Sequence, residues 1–161
     1  MIKSSDIRDA LSDLIKVKAS LPLKVFFNHV NNATNDYAWV RLRPRRKDLG
    51  FGSFDRKIRV DIQVVLAPDE NGEIQHTRLY DIIDALDDAT CGSIPILDRH
   101  ITIYDAETII FDDILTYTFT LDFNDCLQRY ADEAASYEFM RRLELDFNGD
   151  TLIADDENTT P

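Results

Sequence analysis

The stretch KIRVDIQVVL, residues 57–66, decides the fold of this chain. Apolar side chains alternate with mostly polar ones along it, and the alternating set is Ile58, Val60, Ile62, Val64 and Leu66. Successive side chains of a β-strand point to opposite faces, so this period of two predicts a strand with one buried face and one mostly wet face. We therefore expect this strand to lie within a sheet that is covered on one side.

Helical patterns lie on both sides of this strand. The first helix is predicted to start at Ser4 or Ser5, either of which can cap it, and to end before Pro22. The second is predicted at residues 73–89, and Gly92 is placed to end it. The two apolar stripes recur at helical spacing and are Ile7, Leu11, Leu14, Ile15 and Leu79, Ile82, Ile83, Leu86.

The remaining strands follow from composition and alternation. We predict strands at residues 23–27 and 37–43, strands near 94–105, a strand in AETIIFDD (106–113) and one in ILTYTFTLDF (114–123). The order is a helix, three strands, a helix and then about three more strands. This order predicts an α+β domain, with a mainly antiparallel sheet and two helices packed on one face.

A chain of 161 residues has the length of one domain. We assign residues 1–125 to the α+β core and residues 126–147 to a C-terminal linker with a short strand. That strand, RLELDF at 142–147, can pair within its own subunit or with a neighbouring one. Residues 148–161 have no packing stripe and are interpreted as an acidic flexible tail.

The sequence contains few residue patterns that are typical of catalytic sites. The three histidines have no partner at a fixed spacing, and no G-x-S-x-G motif is present. We therefore predict no enzymatic activity and no cofactor. No run of about 18 apolar residues stands together, so membrane spanning is unsupported.

One partial motif favours calcium as an alternative. In DFNGDTLIADDE, residues 146–157, Asp146, Asn148, Asp150 and Glu157 occupy positions one, three, five and twelve of an EF-hand loop. Thr151 stands at position six, where the sharp turn needs glycine. We therefore predict no metal ligands.

A strongly basic segment stands out from an acidic chain. RLRPRRKDLGFGSFDRKIR, residues 41–59, holds eight of the 18 basic residues and two acids, a charge of +6 in a chain of −12, so the rest sums to −18. Its two glycines indicate a hairpin tip, and we expect Phe51 and Phe54 at that tip. The candidate interaction residues here are Arg43, Arg45, Arg46, Lys47, Phe51, Phe54 and Arg56.

The acidic counterpart is predicted on the second helix. Its outer side and C-terminal end are crowded by Asp81, Asp84, Asp87 and Asp88, and the helix dipole at that end disfavours acids unless a cation arrives. The candidate interaction residues among them are Asp84, Asp87 and Asp88. A basic hairpin on an acidic body is self-complementary when copies associate head to tail, which gives rings or filaments. Nucleic-acid binding by the hairpin, and a merely solvated basic loop, stay open at this point.

The whole pattern resembles bacteriophage tail terminator proteins. The likeness rests on SSDIRDALSDLI, VRLRP with its charged loop, RKIRVDIQVVL, LYDIIDALDDA, HITIYDAETIIF, ILTYTFTLDF and RRLELDFNG, and it covers about residues 3–149. The resemblance implies a subunit of a ring, typically a hexamer, that caps the tail tube, stops its growth and presents a surface to the head connector. Another neck or stopper protein is similar in architecture and use.

The resemblance also implies the partners and the place of the protein. These are other copies of the chain, the tail tube protein, and sheath and head-connector proteins, with DNA only passing through the ring lumen. The location implied is the neck of the virion, after assembly in the host cytoplasm. The loop after VRLRP, with Arg45, Arg46, Lys47 and Phe51, is expected to project toward the tube, the lumen or the adjacent subunit.

Overall fold

The computed structural model describes residues 1–28, 35–50, 52–70 and 72–126. Two helices and seven strands make up this part of the chain. In order they are α1 (Ser4–Asp13), a π-helical turn (Leu14–Lys18), β1 (Lys24–Phe26), β2 (Tyr37–Gly50), β3 (Ser53–Val65), α2 (His76–Thr90), β4 (Ser93–Ile96), β5 (Arg99–Thr102), β6 (Ala106–Phe111) and β7 (Ile114–Cys126).

Five strands form one sheet in the order β1-β2-β3-β7-β6. Its pairs are antiparallel except for β1 with β2, which is parallel. The strands β4 and β5 form a separate antiparallel pair. The predicted α+β class with a mainly antiparallel sheet is confirmed, and β3, which contains most of the deciding stretch, is the central strand.

The two helices cover one face of this sheet. The alternating apolar residues of β3 are buried in the same core as the apolar stripes of α1 and α2. The Tyr117 side chain of β7 reaches α2 from this face, and the Arg56 side chain of β3 reaches the start of α1. We call this side, which carries the even-numbered residues of β2 and β3, the covered face, and the other side the open face.

The start of α1 differs from the prediction. The capping residue is Lys3 rather than Ser4 or Ser5, and its backbone N–H donates to the Asp6 carboxylate at 2.7 Å. A carboxylate in the first turn both accepts this N–H and complements the positive end of the helix dipole. This contact differs from a serine cap, whose hydroxyl would accept a hydrogen bond from an N–H inside the first turn.

The basic segment is strand where a loop was predicted. The strands β2 and β3 stay paired from Tyr37 with Val65 to Gly50 with Ser53. Pro44 is tolerated inside β2 because β1 pairs only with residues 37–39, which leaves β2 an edge strand at that point. Beyond Pro44 the β2 side chains are exposed on both faces, so no apolar alternation marked the strand.

A glycine turn closes this long hairpin, as the sequence indicated. Gly50 has φ +87° and Gly52 has φ +72°, values that side-chain-bearing residues rarely adopt. The predicted position of Phe51 lies outside the described residues. So do the predicted linker and strand at 126–147 beyond Cys126, the acidic tail at 148–161 and the partial calcium motif.

A hydrogen-bonded tyrosine ties α2 to the sheet. The Tyr117 hydroxyl lies 2.7 Å from the Thr90 hydroxyl and donates to the Asp87 carboxylate at 2.7 Å. Thr90 in turn donates to the Leu86 carbonyl at 2.8 Å. Burial raises the pKa of Tyr117 to about 12, and the neighbouring Asp87 carboxylate acts in the same direction.

This raised pKa predicts a loss of stability at alkaline pH. The folded protein holds the Tyr117 proton more tightly than the unfolded chain, whose tyrosines titrate near pH 10. The contribution of this proton to stability is complete below about pH 10 and is lost as the pH rises toward 12. At pH 11 the loss of stability is about 1 kcal/mol. Urea unfolding at pH 9 and pH 11 measures it, and Tyr117→Phe should show a correspondingly smaller pH dependence.

Candidate functional site: the open face of the sheet

The register of the hairpin sorts its basic residues onto two faces. Arg41, Arg43 and Arg45 alternate with residues of the covered face and pair across to Asp61, Arg59 and Lys57. On β2, β3 and β7, six basic side chains therefore share the open face with three acids, Asp55, Asp61 and Asp122. We call the basic set the basic end of the open face: Arg41, Arg43, Arg45, Lys47, Lys57 and Arg59.

A buried carboxylate lies beneath three of these arginines. Asp61 is only 1% exposed, although the alternation placed it on the wet side of β3. It accepts hydrogen bonds from Arg43 at 2.5 Å, from Arg59 at 3.2 Å and from the Thr118 hydroxyl at 3.1 Å. The Arg41 side chain lies 3.7 Å away.

Burial and hydrogen bonding act on Asp61 in opposite directions. Burial raises the pKa of its carboxyl, but the hydrogen bonds from Arg43, Arg59 and Thr118 together outweigh burial and hold that pKa below its usual range. The carboxylate is thus charged at neutral pH and fixes the surrounding guanidinium groups. Asp61 offsets one of the three positive charges around it, so the inner part of the basic end, Arg41, Arg43 and Arg59, is a preformed cluster that stays net positive.

The outer part of the basic end consists of Arg45, Lys47 and Lys57, and it also carries positive charge. Lys57 pairs with Asp122 at 2.7 Å, and this hydrogen bond raises the pKa of the lysine. Arg45 and Lys47 are exposed, and neither makes a salt bridge to another described residue. A cleft of about 290 Å³ lies beside Arg45 and is lined by Arg43, Arg45, Lys57, Arg59 and Thr120.

Three of the predicted interaction residues instead serve the covered face. The guanidinium of Arg46 lies 4.5 Å from the centre of the Phe54 ring, and Arg56 donates to the Ile2 carbonyl at 2.6 Å. Phe54 is only 4% exposed, so its prediction as a residue of an exposed tip was wrong. It lies in β3 because the strand extends farther toward the turn than the alternation indicated.

The α2 acids divide in a similar way. Asp87 accepts a hydrogen bond from the Tyr117 hydroxyl. The unfavourable helix dipole at this position suggested a cation from outside, but here a group within the fold contacts the carboxylate. Asp84 and Asp88 are exposed and form no salt bridge to another described residue. Because α2 packs on the covered face, these two acids and the basic end lie on opposite sides of the subunit.

The other half of the open face carries most of its apolar side chains, which the sequence did not lead us to expect. Trp39 lies there with the Arg41 guanidinium 5.0 Å from its ring centre, and Phe26 meets Tyr37 edge to face at 6.0 Å. We call this region the apolar end; by register it comprises Phe26, Tyr37, Trp39, Val65, Ile109, Phe111 and Ile114. The sequence contained one indication of this apolar end. Ile109 and Ile110 are adjacent, so a strand at this position presents apolar side chains to both faces of the sheet.

The described residues show neither a metal-binding cluster nor a helix that could cross a membrane. Within residues 1–28, 35–50, 52–70 and 72–126, no group of three or more histidine, cysteine or acidic side chains could hold a metal ion. No helix in this part of the chain is long and apolar enough to cross a membrane.

Comparison with known proteins adds no family. No protein-family model matches the chain, and no curated protein matches it. One solved structure, whose name is a sequence identifier, aligns with 79% of this chain and 97% of its own at 14% identity and a TM-score of 0.39. A likeness at that level carries no argument about function.

Proposed function

We propose that the protein is a structural subunit that assembles head to tail into a closed ring. In this assembly the basic end of one copy contacts Asp84 and Asp88 on α2 of the next. A contact between two different surfaces repeats from copy to copy and closes into a ring when the rotation allows it. Opposite charges at such a contact steer the encounter and fix its register.

One observation carries this proposal. Arg45 and Lys47 on one side of the subunit, and Asp84 and Asp88 on the other, are exposed charges without a salt bridge to another described residue. The two sets cannot meet within one subunit, because the sheet separates them. Contact between copies would pair both sets at once.

The particular ring proposed is a bacteriophage tail terminator. The resemblance in element order supports this class, in which the ring caps the tail tube, stops its polymerisation and offers a surface for head attachment. A hexamer in the virion neck, contacting the tube protein and encircling the path of the DNA, is the corresponding form. Another neck or stopper protein is the alternative within the same class, and the role needs neither a cofactor nor catalysis.

Two single charge reversals test the basic end. Arg45→Glu reverses an exposed charge on the open face, whereas Arg46→Glu reverses the neighbouring charge on the covered face. We expect Arg45→Glu to weaken self-association at least about tenfold and Arg46→Glu to affect it much less. Sedimentation velocity across a concentration series measures both; equal effects of the two variants would remove the open face from the mechanism.

The cleft beside Arg45 favours one second candidate, a nucleic-acid-binding module. Its guanidinium and ammonium groups have the chemistry that contacts phosphates, and binding through them weakens as salt rises. This candidate predicts DNA binding at low salt that Arg45→Glu weakens. Fluorescence anisotropy with a labelled duplex measures it, and the absence of binding at low salt would eliminate it.

A further inference from the structure

The sheet has an edge that nothing in the described chain covers. The strand β6 pairs with β7 on one side, and no described strand pairs with its other side. Ile109 is 52% exposed and Phe111 is 72% exposed, although both lie on an open face that also carries aromatic residues. An exposed apolar edge strand is a template for another strand, and stable proteins usually cover it.

The chain itself supplies a matching strand. Residues 142–147, RLELDF, are six residues long, as β6 is, and alternate Leu143, Leu145 and Phe147 with charged residues. Paired with the β6 edge, a strand of this pattern can place its three apolar side chains on one face. The apolar end of the open face would then continue across a sixth strand.

The distance to be covered is short for the chain available. The described part ends at Cys126, seven residues along β7 from Phe119, which pairs with the first residue of β6. That separation is about 23 Å along the strand, at roughly 3.3 Å per residue. Residues 127–141 can span about 50 Å when extended, so the segment can reach its own β6.

We propose that residues 142–147 add to the outer edge of β6 in the same subunit, with Leu143, Leu145 and Phe147 beside Ile109 and Phe111 on the open face. The backbone of β6 gains hydrogen-bond partners on its open side, and the exposed apolar pair loses contact with water. Pairing within the subunit is favoured because the linker keeps the segment at high effective concentration. This inference does not depend on the ring.

Hydrogen–deuterium exchange of the full-length chain tests the added strand. Leu145→Pro removes an N–H and fixes φ, which breaks a strand, whereas Ala154→Pro makes the same change beyond the segment and serves as the matched control. We expect those amides of residues 106–111 that point away from β7 to exchange at least about tenfold faster in Leu145→Pro and at the wild-type rate in Ala154→Pro. The amides of β3 report in both variants that the core is folded.

Two results would overturn the proposal. One is equal exchange at residues 106–111 in Leu145→Pro and wild type. The other is protection in the wild type that falls on dilution, because it would place the strand on a neighbouring copy. Leu145→Asn keeps the N–H and removes the apolar contact, so it should give an intermediate rate.

Discussion

Replacing Asp61 by asparagine should lower the free energy of unfolding by about 3 kcal/mol. The substitution removes the buried charge that Arg43 and Arg59 contact and leaves two guanidinium groups facing an amide. Breaking a buried ion pair costs roughly 3–5 kcal/mol, and the lower value applies because both arginines are about half exposed to solvent. Urea unfolding at pH 7 measures the change.

The exposed pair on the same face is the matched control. Asp122→Asn removes the partner of Lys57, but both side chains are substantially exposed, so the cost should stay below about 1 kcal/mol. Similar losses in the two variants would contradict a special role for the buried carboxylate. The comparison separates burial from charge because both acids lie on the open face and contact basic side chains.

The effect of Asp61 should also depend on pH. Its pKa is lower in the folded protein than in the unfolded chain, so its contribution is complete above about pH 4 and is lost as the pH falls through the folded value. Wild type and Asp61→Asn should therefore converge in stability under acid. Asp36, whose pKa is lowered by hydrogen bonds from Ala67 and Arg78 that outweigh its burial, acts in both proteins and cancels from the difference.

A mixture of two charge-reversed variants should assemble when neither variant assembles alone. The first variant carries Arg45→Glu with Lys47→Glu, and the second carries Asp84→Lys with Asp88→Lys. In each variant alone, like charges meet at every contact, and the association should weaken at least about a hundredfold. In a one-to-one mixture, the hairpin of each variant meets α2 of opposite charge on the other.

Size-exclusion chromatography with mass detection measures this outcome. The mixture should give rings with an even number of alternating subunits, which a hexamer permits. Arg46→Glu serves as the control, because it changes the charge of the same hairpin on the covered face. A mixture that stays monomeric, or a single variant that assembles normally, would contradict the proposed contact.

The sequence was sufficient for the frame of the fold. Alternation in residues 57–66 and helical spacing around Leu11 and Leu79 report burial directly, so the central strand, both helices and their common face could be predicted. Asp61 lies in the same strand but could not be recognised as buried. Its partners Arg43 and Thr118 are 18 and 57 residues away, and only the register of three strands brings them together.

The sequence predicted the basic composition of the candidate site, but it did not predict the face of the sheet on which each residue lies. Arg45 and Arg46 are adjacent in sequence and looked equivalent, yet the strand directs them to opposite sides of the sheet. Phe54 was expected at the hairpin tip because it lies close to the two glycines, and it is buried under Arg46. Both errors have one physical cause, since a strand with two wet faces has no apolar alternation to reveal its register.

Native mass spectrometry of the wild-type chain, across a concentration series and with and without calcium, tests the ring most directly. We predict a closed ring of about six subunits whose mass does not depend on calcium. A closed ring would establish the self-association that the opposed charges of Arg45 and Asp88 imply. A chain that is monomeric at every concentration, or that stops at a two-fold dimer, would contradict the account.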